Sequence, residues 1–337
     1  MANLLHPLHP VLPAADAALV EGVLRRERRA LAKTITLIES SRLDHQLRAQ
    51  AVLETLMPHT GHAIRVGISG VPGVGKSTFI EALGMALIEQ GQRVAVLAID
   101  PSSSLTGGSI LGDKTRMEKL SQREEAFIRP SPARGALGGV ARQTREALLA
   151  CEAAGFDVII VETVGVGQSE TAVAGMTDVY VVLQLPNAGD DLQAIKKGIL
   201  ELADMVVYNK ADIDANASDL AVGQMRSALH MLRPASKHWQ VPVLKTSAMT
   251  GYGIAQVWDA IVRHRETMTA AGEFDAKRRH QALTWMWTLI EQGLQQRFRE
   301  HPAVARELQA VTDKVAGASI TPTAAAHLLL THFGGDA

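Results

Sequence analysis

The sequence predicts an α/β fold in which a mostly parallel sheet is covered by helices on both faces. Three observations lead there. Short β-branched runs at 64–68, 94–99, 158–161, 179–185, 205–208 and 241–244 alternate with helical stretches, the rhythm of successive βαβ units. The 28 glycines cluster rather than scatter. With 337 residues, 47% of them hydrophobic and 20% charged, the chain has volume for an ordinary buried core without disulfide staples.

The elements follow in order. Residues 14–57 hold few glycines or prolines and many Ala, Leu, Arg and Glu, which predicts helices ahead of the first strand and an N-terminal helical extension over 1–60. The strand–helix alternation fills 61–265. After Gly253 the strand signals stop, and 266–337 reads as a helical arm. With Leu283 as origin of a helical wheel, Met286, Trp287, Ile290, Leu294 and Phe298 share one stripe, as expected for packing against a core, while Trp285 and Leu289 fall opposite. A second apolar face bearing Trp requires cover, either from a subunit partner or from residues 302–332.

Composition excludes several functions. Lys and Arg total 34 against 35 Asp and Glu, a formal charge of −1, so no nucleic-acid partner is expected. No run of 18 apolar residues exists and the start lacks the order of a signal peptide, so the expectation is a cytoplasmic protein with no membrane partner. The single cysteine, Cys151, excludes an intrachain disulfide framework and is read as a small buried apolar residue. His6, His9, His45, His59 and His62 are scattered, unlike the converging ligands of a metal-delivery protein.

The strongest motif is Gly70-Val71-Pro72-Gly73-Val74-Gly75-Lys76-Ser77-Thr78, a full G-x-x-x-x-G-K-S pattern between a strand and a helix. Its glycines let backbone amides turn towards phosphates, Lys76 reaches the β/γ-phosphates, and the Ser77 hydroxyl ligates Mg²⁺. Asn209-Lys210-Ala211-Asp212 closes a later strand. The Asp212 carboxylate accepts two hydrogen bonds from the guanine edge, a donor pair adenine lacks, which favours GTP over ATP; a polar turn of no chemical meaning is the plainer alternative. Thr246-Ser247-Ala248 follows the next strand and offers the Ala248 amide to guanine O6. The fold class is therefore a P-loop GTPase, with its G domain at 61–265.

Catalytic groups lie between these boxes. Glu162 ends a strand three residues before Gly165, so Glu162 is placed to act on Mg²⁺ through water and Gly165 to offer its amide to the γ-phosphate. The residue after that glycine is Val166, where a self-sufficient GTPase keeps a water-orienting Gln, and Gln168 cannot be assumed to replace it; slow hydrolysis follows. A second acidic strand end, Asp100, leads through a glycine-rich loop to Asp113. Both carboxylates are candidates for the Mg²⁺ shell, directly or through water, and the alternative for Asp113 is a solvated acidic loop.

These residues carry a family resemblance. The segments 70–78, 100–117, Arg129-Pro130-Ser131-Pro132 with 135–139, 162–170 and 209–212 resemble the methylmalonyl-CoA mutase-associated GTPases, the MeaB/ArgK type of the SIMIBI class of P-loop GTPases. The likeness spans about residues 30–330. It implies a homodimer, joined through C-terminal helical arms, that uses GTP and GDP with Mg²⁺. Its implied partner is an adenosylcobalamin-dependent acyl-CoA mutase, whose cofactor loading it gates and which it protects or reactivates; cobalamin is bound by that partner. By its charge and long flexible stem Lys196 is a candidate for recruitment towards the β/γ-phosphates, and the resemblance also implies that 186–198 is a switch in which Asp190, Gln193 and Lys196 move between nucleotide and partner. Without it, the same segment reads as a capped surface helix. The older label for such proteins, a small-molecule kinase or transport-associated ATPase, is the competing function; no acceptor-binding site is visible in the sequence.

Overall fold

The computed structural model describes residues 12–100, 117–132, 137–163, 169–186, 197–231 and 236–334. It divides into two compact units, Met1–Asp275 and Ala276–Ala337.

The first unit is built on a seven-stranded, wholly parallel sheet. The strands are β1 (Ile64–Gly70), β2 (Val94–Asp100), β3 (Ala126–Pro132), β4 (Val158–Glu162), β5 (Val179–Gln184), β6 (Met205–Tyr208) and β7 (Val243–Lys245), in spatial order β3-β2-β4-β1-β5-β6-β7. Every residue of β4, β5 and β6 is buried, the signature of a sheet covered on both faces, which is why these strands read as continuous apolar runs instead of alternating ones. On one face the core joins Val66, Ile68, Ile160 and Val181 to Phe79 and Leu83 of α4 (Lys76–Glu89) and to Val257 and Ile261 of α10 (Ile254–Ala270). The crossover helices between are α5 (Glu118–Ser121), α6 (Leu137–Ala153), α7 (Ser169–Ala174), α8 (Lys197–Leu202) and α9 (Ala215–Met231). From β1 the chain runs outward through β2 to β3, returns to β4, then crosses to β5; the reversal leaves a crevice beyond the carboxyl end of β1.

The sequence expectation of six strands misses β3. Its Pro130 and Pro132 contradict strand propensity, yet β3 is an edge strand, where a proline costs no ladder bond if the missing N–H faces away from its neighbour.

Helices α1 (Ala14–Leu24), α2 (Arg28–Ile38) and α3 (Leu43–Leu56) precede the sheet and belong to the same unit. Leu31, Ile35 and Ile38 recur at helical spacing and are buried, so α2 turns one stripe inward. Fully buried Asp16 of α1 is held by both nitrogens of an Arg48 fork from α3, at 2.7 and 3.0 Å, which a desolvated carboxylate requires. Glu39, just past α2, pairs with Arg129 of β3 and ties this helical layer to the sheet edge.

The second unit comprises most of α11 (Glu273–Glu300), with α12 (Pro302–Ala316) and α13 (Pro322–Gly334). Val304, Val311, Ala325 and Leu329 form its small core, and Phe298 packs on it. The rest of the α11 stripe departs from the expectation of internal packing: Leu283, Met286, Trp287, Ile290 and Leu294 are exposed, and Trp285 is half-buried. Residues 302–332 therefore cover only the Phe298 end of it.

Candidate functional site

A cleft of about 780 Å³ lies at the carboxyl ends of the central strands. Its floor is the turn from β1 into α4. Gly73 and Gly75 both have positive φ, 78° and 89°, a region that L side chains rarely adopt. A Cβ on Gly75 would also come 2.9 Å from Asn209 Nδ2, and one on Gly70 would come 2.6 Å from Leu183 O. Pro72, Gly73, Gly75, Lys76, Ser77 and Thr78 line the cleft. Phe79 N–H is bonded back to Gly75 O at 2.9 Å, so the amides one and two residues ahead lie in the helix's first turn, where no intrahelical acceptor exists. That end carries the positive pole of α4, a favourable place for phosphate oxygens. Lys76 Nζ donates to Gly70 O at 2.9 Å and to Val71 O at 3.4 Å, folding its charge over the loop. Val74 is wholly buried and anchors the loop.

One wall comes from β4. Glu162 stands in register with Ile68 of β1 and Ala98 of β2, is buried, and accepts a hydrogen bond from Ser77 Oγ at 3.3 Å. Two hard oxygen donors thus meet beside the phosphate loop. Among the described residues no group of three or more His, Cys, Asp or Glu side chains could hold a metal. The pair instead fits Mg²⁺, which prefers oxygen, keeps several waters and takes one or two protein ligands plus phosphate. The backbone of Asp100 ends β2, two residues beyond Ala98; its side chain lies outside what the structure describes. Asp113, Gly165, Val166, Gln168, Asp190, Gln193 and Lys196 lie outside the described residues.

The opposite wall is built from two loops locked together. Buried Asn209 donates from Nδ2 to Val74 O at 2.9 Å, while its Oδ1 accepts from Ala248 N at 3.1 Å and Thr246 Oγ1 at 3.3 Å. One side chain therefore fixes the phosphate loop, the β6 end and the β7 end in a single frame. Lys210, in the left-handed region at φ 60°, spans the cleft to donate to Gly73 O at 2.8 Å. Ala211 N–H bonds to Thr246 O at 2.9 Å, closing the two loops on one another. Burial pushes the Tyr208 phenol up to about 12, so it stays neutral as packing beneath this wall.

Asp212 and Ala248 both line the cleft, as a guanine edge requires, although the Ala248 amide is engaged by Asn209. Ser247 is buried instead: its N–H bonds to Tyr252 O at 2.9 Å and its hydroxyl accepts from Thr250 N at 3.3 Å, so it shapes the turn. Ile213 and Met249 also line the cleft. Sequence reasoning passed over both, though each directly follows a residue it named.

Comparisons with known proteins show the family and the fold. The profile of the family described as methylmalonyl Co-A mutase-associated GTPase MeaB matches residues 31–303. A putative GTPase of Caulobacter vibrioides is 54% identical, over 96% of this chain and all of its own length. The mitochondrial methylmalonic aciduria type A homolog of Mus musculus is 45% identical, over 94% of this chain and 79% of its own. Among solved structures, one described as LAO/AO transport system kinase superposes with a TM-score of 0.78 at 36% identity, covering 96% of this chain and 99% of that one. The profile match over residues 31–303, with relatives 54% and 45% identical over more than nine-tenths of the chain, places this protein in the methylmalonyl-CoA mutase-associated GTPase (MeaB) family.

Proposed function

We propose that the chain hydrolyses GTP slowly by itself, and that it acts as chaperone to an adenosylcobalamin-dependent acyl-CoA mutase of the methylmalonyl-CoA type. GTP binding and hydrolysis would gate cofactor loading and protect or reactivate the mutase, which itself carries the cobalamin. The observation that carries the nucleotide reading is the Asn209 bracket, which sets Asp212 on the same cleft as Lys76, Ser77 and Glu162. Within that cleft, the first turn of α4 and Lys76 hold the phosphates, and Asp212 holds the base edge. Ser77, Glu162 and Asp100 are the residues that would hold Mg²⁺, with Asp113 as a further candidate. When bound, the ion neutralises charge developing between the β- and γ-phosphates. Gly165 offers its amide to the γ-phosphate in this reading.

The mutase client is supported by the family's description and by the methylmalonic aciduria name of the mouse relative. The transport-kinase name of the structural neighbour supports the older reading of a small-molecule kinase or transport ATPase. A homodimer is supported by the exposed apolar stripe on α11. No helix of the described residues is long and apolar enough to cross a membrane.

With Val166 where a water-orienting Gln is otherwise found, the catalytic complement arrives with the client, and Lys196 supplies positive charge as charge moves onto the leaving group. GTP turnover should rise on adding the cognate mutase. Lys196→Ala should keep basal turnover and nucleotide affinity yet lose most of that increment. Equal stimulation of both proteins removes Lys196 from the role; a wild type that no acyl-CoA mutase stimulates argues against the chaperone reading. Phosphate transfer to a small acceptor would favour the kinase.

A further inference from the structure

The corner between α1 and α2 gathers positive charge against local preference. It closes as a Schellman turn, with Arg26 N–H bonded to Val23 O and Glu27 N–H to Gly22 O, both at 2.9 Å. Such a turn needs one left-handed residue, usually glycine, and Arg26 holds that place at φ 66°. Arg28 and Arg29 then open α2, where the helix dipole favours acids and the first turn has none. Among the described residues Arg26, Arg28 and Arg29 have no ion-pair partner. Glu27 turns its carboxylate back over Gly22.

The Arg26 side chain lies across the turn from α6 into β4: its Nε and Nη2 are 3.0 and 3.3 Å from the place a Cβ on Gly155 would take. Arg93, just ahead of β2, occupies the same turn. Its Nη1 donates to Ala154 O at 2.7 Å and to Gly155 O at 3.0 Å, and its guanidinium stands 4.5 Å over the centre of the Phe156 ring. Burial first, and then the charge of Arg26, hold the Arg93 guanidinium below its ordinary value, against the pull of Asp157. The Asp157 carboxylate is already engaged, accepting from Arg93 N at 2.8 Å. Two like charges therefore share one turn, and the Arg26 fork, with Nε and Nη2 of Arg93, has no acceptor among the described residues.

We propose that Arg26 and Arg93 form an anion site that takes a phosphate group, at the end of the sheet opposite the nucleotide cleft. Arg93 precedes β2 and Gly155 precedes β4, and both strands run parallel towards the cleft, so the two sites lie at opposite strand ends. A planar guanidinium matches phosphate oxygens two at a time, and a dianion set between two such forks removes their mutual repulsion. Arg93 is fixed in advance by two carbonyls and a ring, and Arg28 and Arg29 add to the field. The bound group ties the N-terminal helices to the entrance of β2. Its source is free phosphate or the phosphate ester of a small metabolite, which share this chemistry. The inference stands apart from the nucleotide reading.

The test is calorimetric titration of the full chain with inorganic phosphate and with glycerol 3-phosphate, at an ionic strength held constant with chloride so that screening is matched. Wild type is compared with Arg26→Gly. Glycine suits the left-handed backbone and keeps the turn, and the nucleotide cleft is the same in both proteins, so phosphate taken up there cancels. Arg26→Gly should weaken binding of the preferred compound by about 10-fold or more. Arg93→Lys, which keeps the charge and loses the fork, should weaken it by about threefold or more. Tighter binding of inorganic phosphate identifies the free anion as the ligand, and tighter binding of glycerol 3-phosphate an ester; either supports the site when it is lost with Arg26. A wild type that binds neither compound, or an Arg26→Gly variant that binds both as tightly as wild type, overturns the proposal.

Discussion

At the residue scale, Asp212 is the group to which the proposed function assigns the choice of base. The family's chemistry asks for a carboxylate that accepts from N1–H and N2–H₂ of guanine, and Asp212 lines the cleft on a loop bound to its neighbour through Ala211 and Thr246. Asp212→Asn replaces one acceptor by a donor, so it should pair with the extra carbonyl of xanthine. The expected outcome is at least about 100-fold weaker GTP binding with xanthosine triphosphate now preferred, read by competition titration. A wild type that turns over ATP as fast as GTP would contradict the assignment. Asn209 shows the limit of residue-level reading. Its place in the tetrapeptide marks it as a base-site residue, but most of its polar capacity is spent inside the protein, on Val74 O, Ala248 N and Thr246 Oγ1.

At the element scale, the turn between β7 and α10 shows how backbone geometry governs a binding wall. Gly253 caps α10 at φ 78°, and a Cβ there would come 2.2 Å from Lys245 O, a contact no side-chain movement relieves. Gly253→Ala should cost about 2 kcal/mol or more of stability. It should also weaken GDP binding, because the displaced turn carries Ala248 and Met249; chemical denaturation and titration measure the two effects. By contrast Gly251, also at positive φ, has nothing within 4 Å of the place a Cβ would take, so steric crowding adds nothing there to the backbone strain. Strand β3 makes a related point. Local propensity rejects a segment with two prolines, and only its edge position, with Arg129 paired to Glu39 of the N-terminal layer, makes it a strand.

At the scale of the whole molecule, the α11 stripe is the feature one chain leaves unfinished. Trp287 is 59% exposed and Leu294 53%, seven residues and two turns apart on the same face. A continuous apolar face of this kind favours association with a second copy. The double variant Trp287→Glu with Leu294→Glu should run as a monomer of 36.1 kDa in light scattering where the wild type runs at twice that mass. Both side chains lie outside the small core of Val304, Val311, Ala325 and Leu329, so the helices themselves should persist by circular dichroism. A variant that remains dimeric, or a wild type that is already monomeric, removes the stripe from assembly.

The sequence alone determined the α/β class, the phosphate loop from Gly70 to Thr78 and the place of Glu162 at a strand end, because each depends on a few consecutive residues whose backbone and side-chain chemistry is local. It also marked residues 209–212 and 246–248 without saying what joins them. The tertiary structure decided that joining. Parallel strands are paired across long crossovers, so only the order β2-β4-β1-β5-β6-β7 brings Ser77 to Glu162 and Asn209 to Val74 and Ala248. It likewise decided that β3 is a strand and that the α11 stripe faces water. Both follow from what lies beside a segment in space, and helical or strand periodicity records only that a face is apolar, never what covers it.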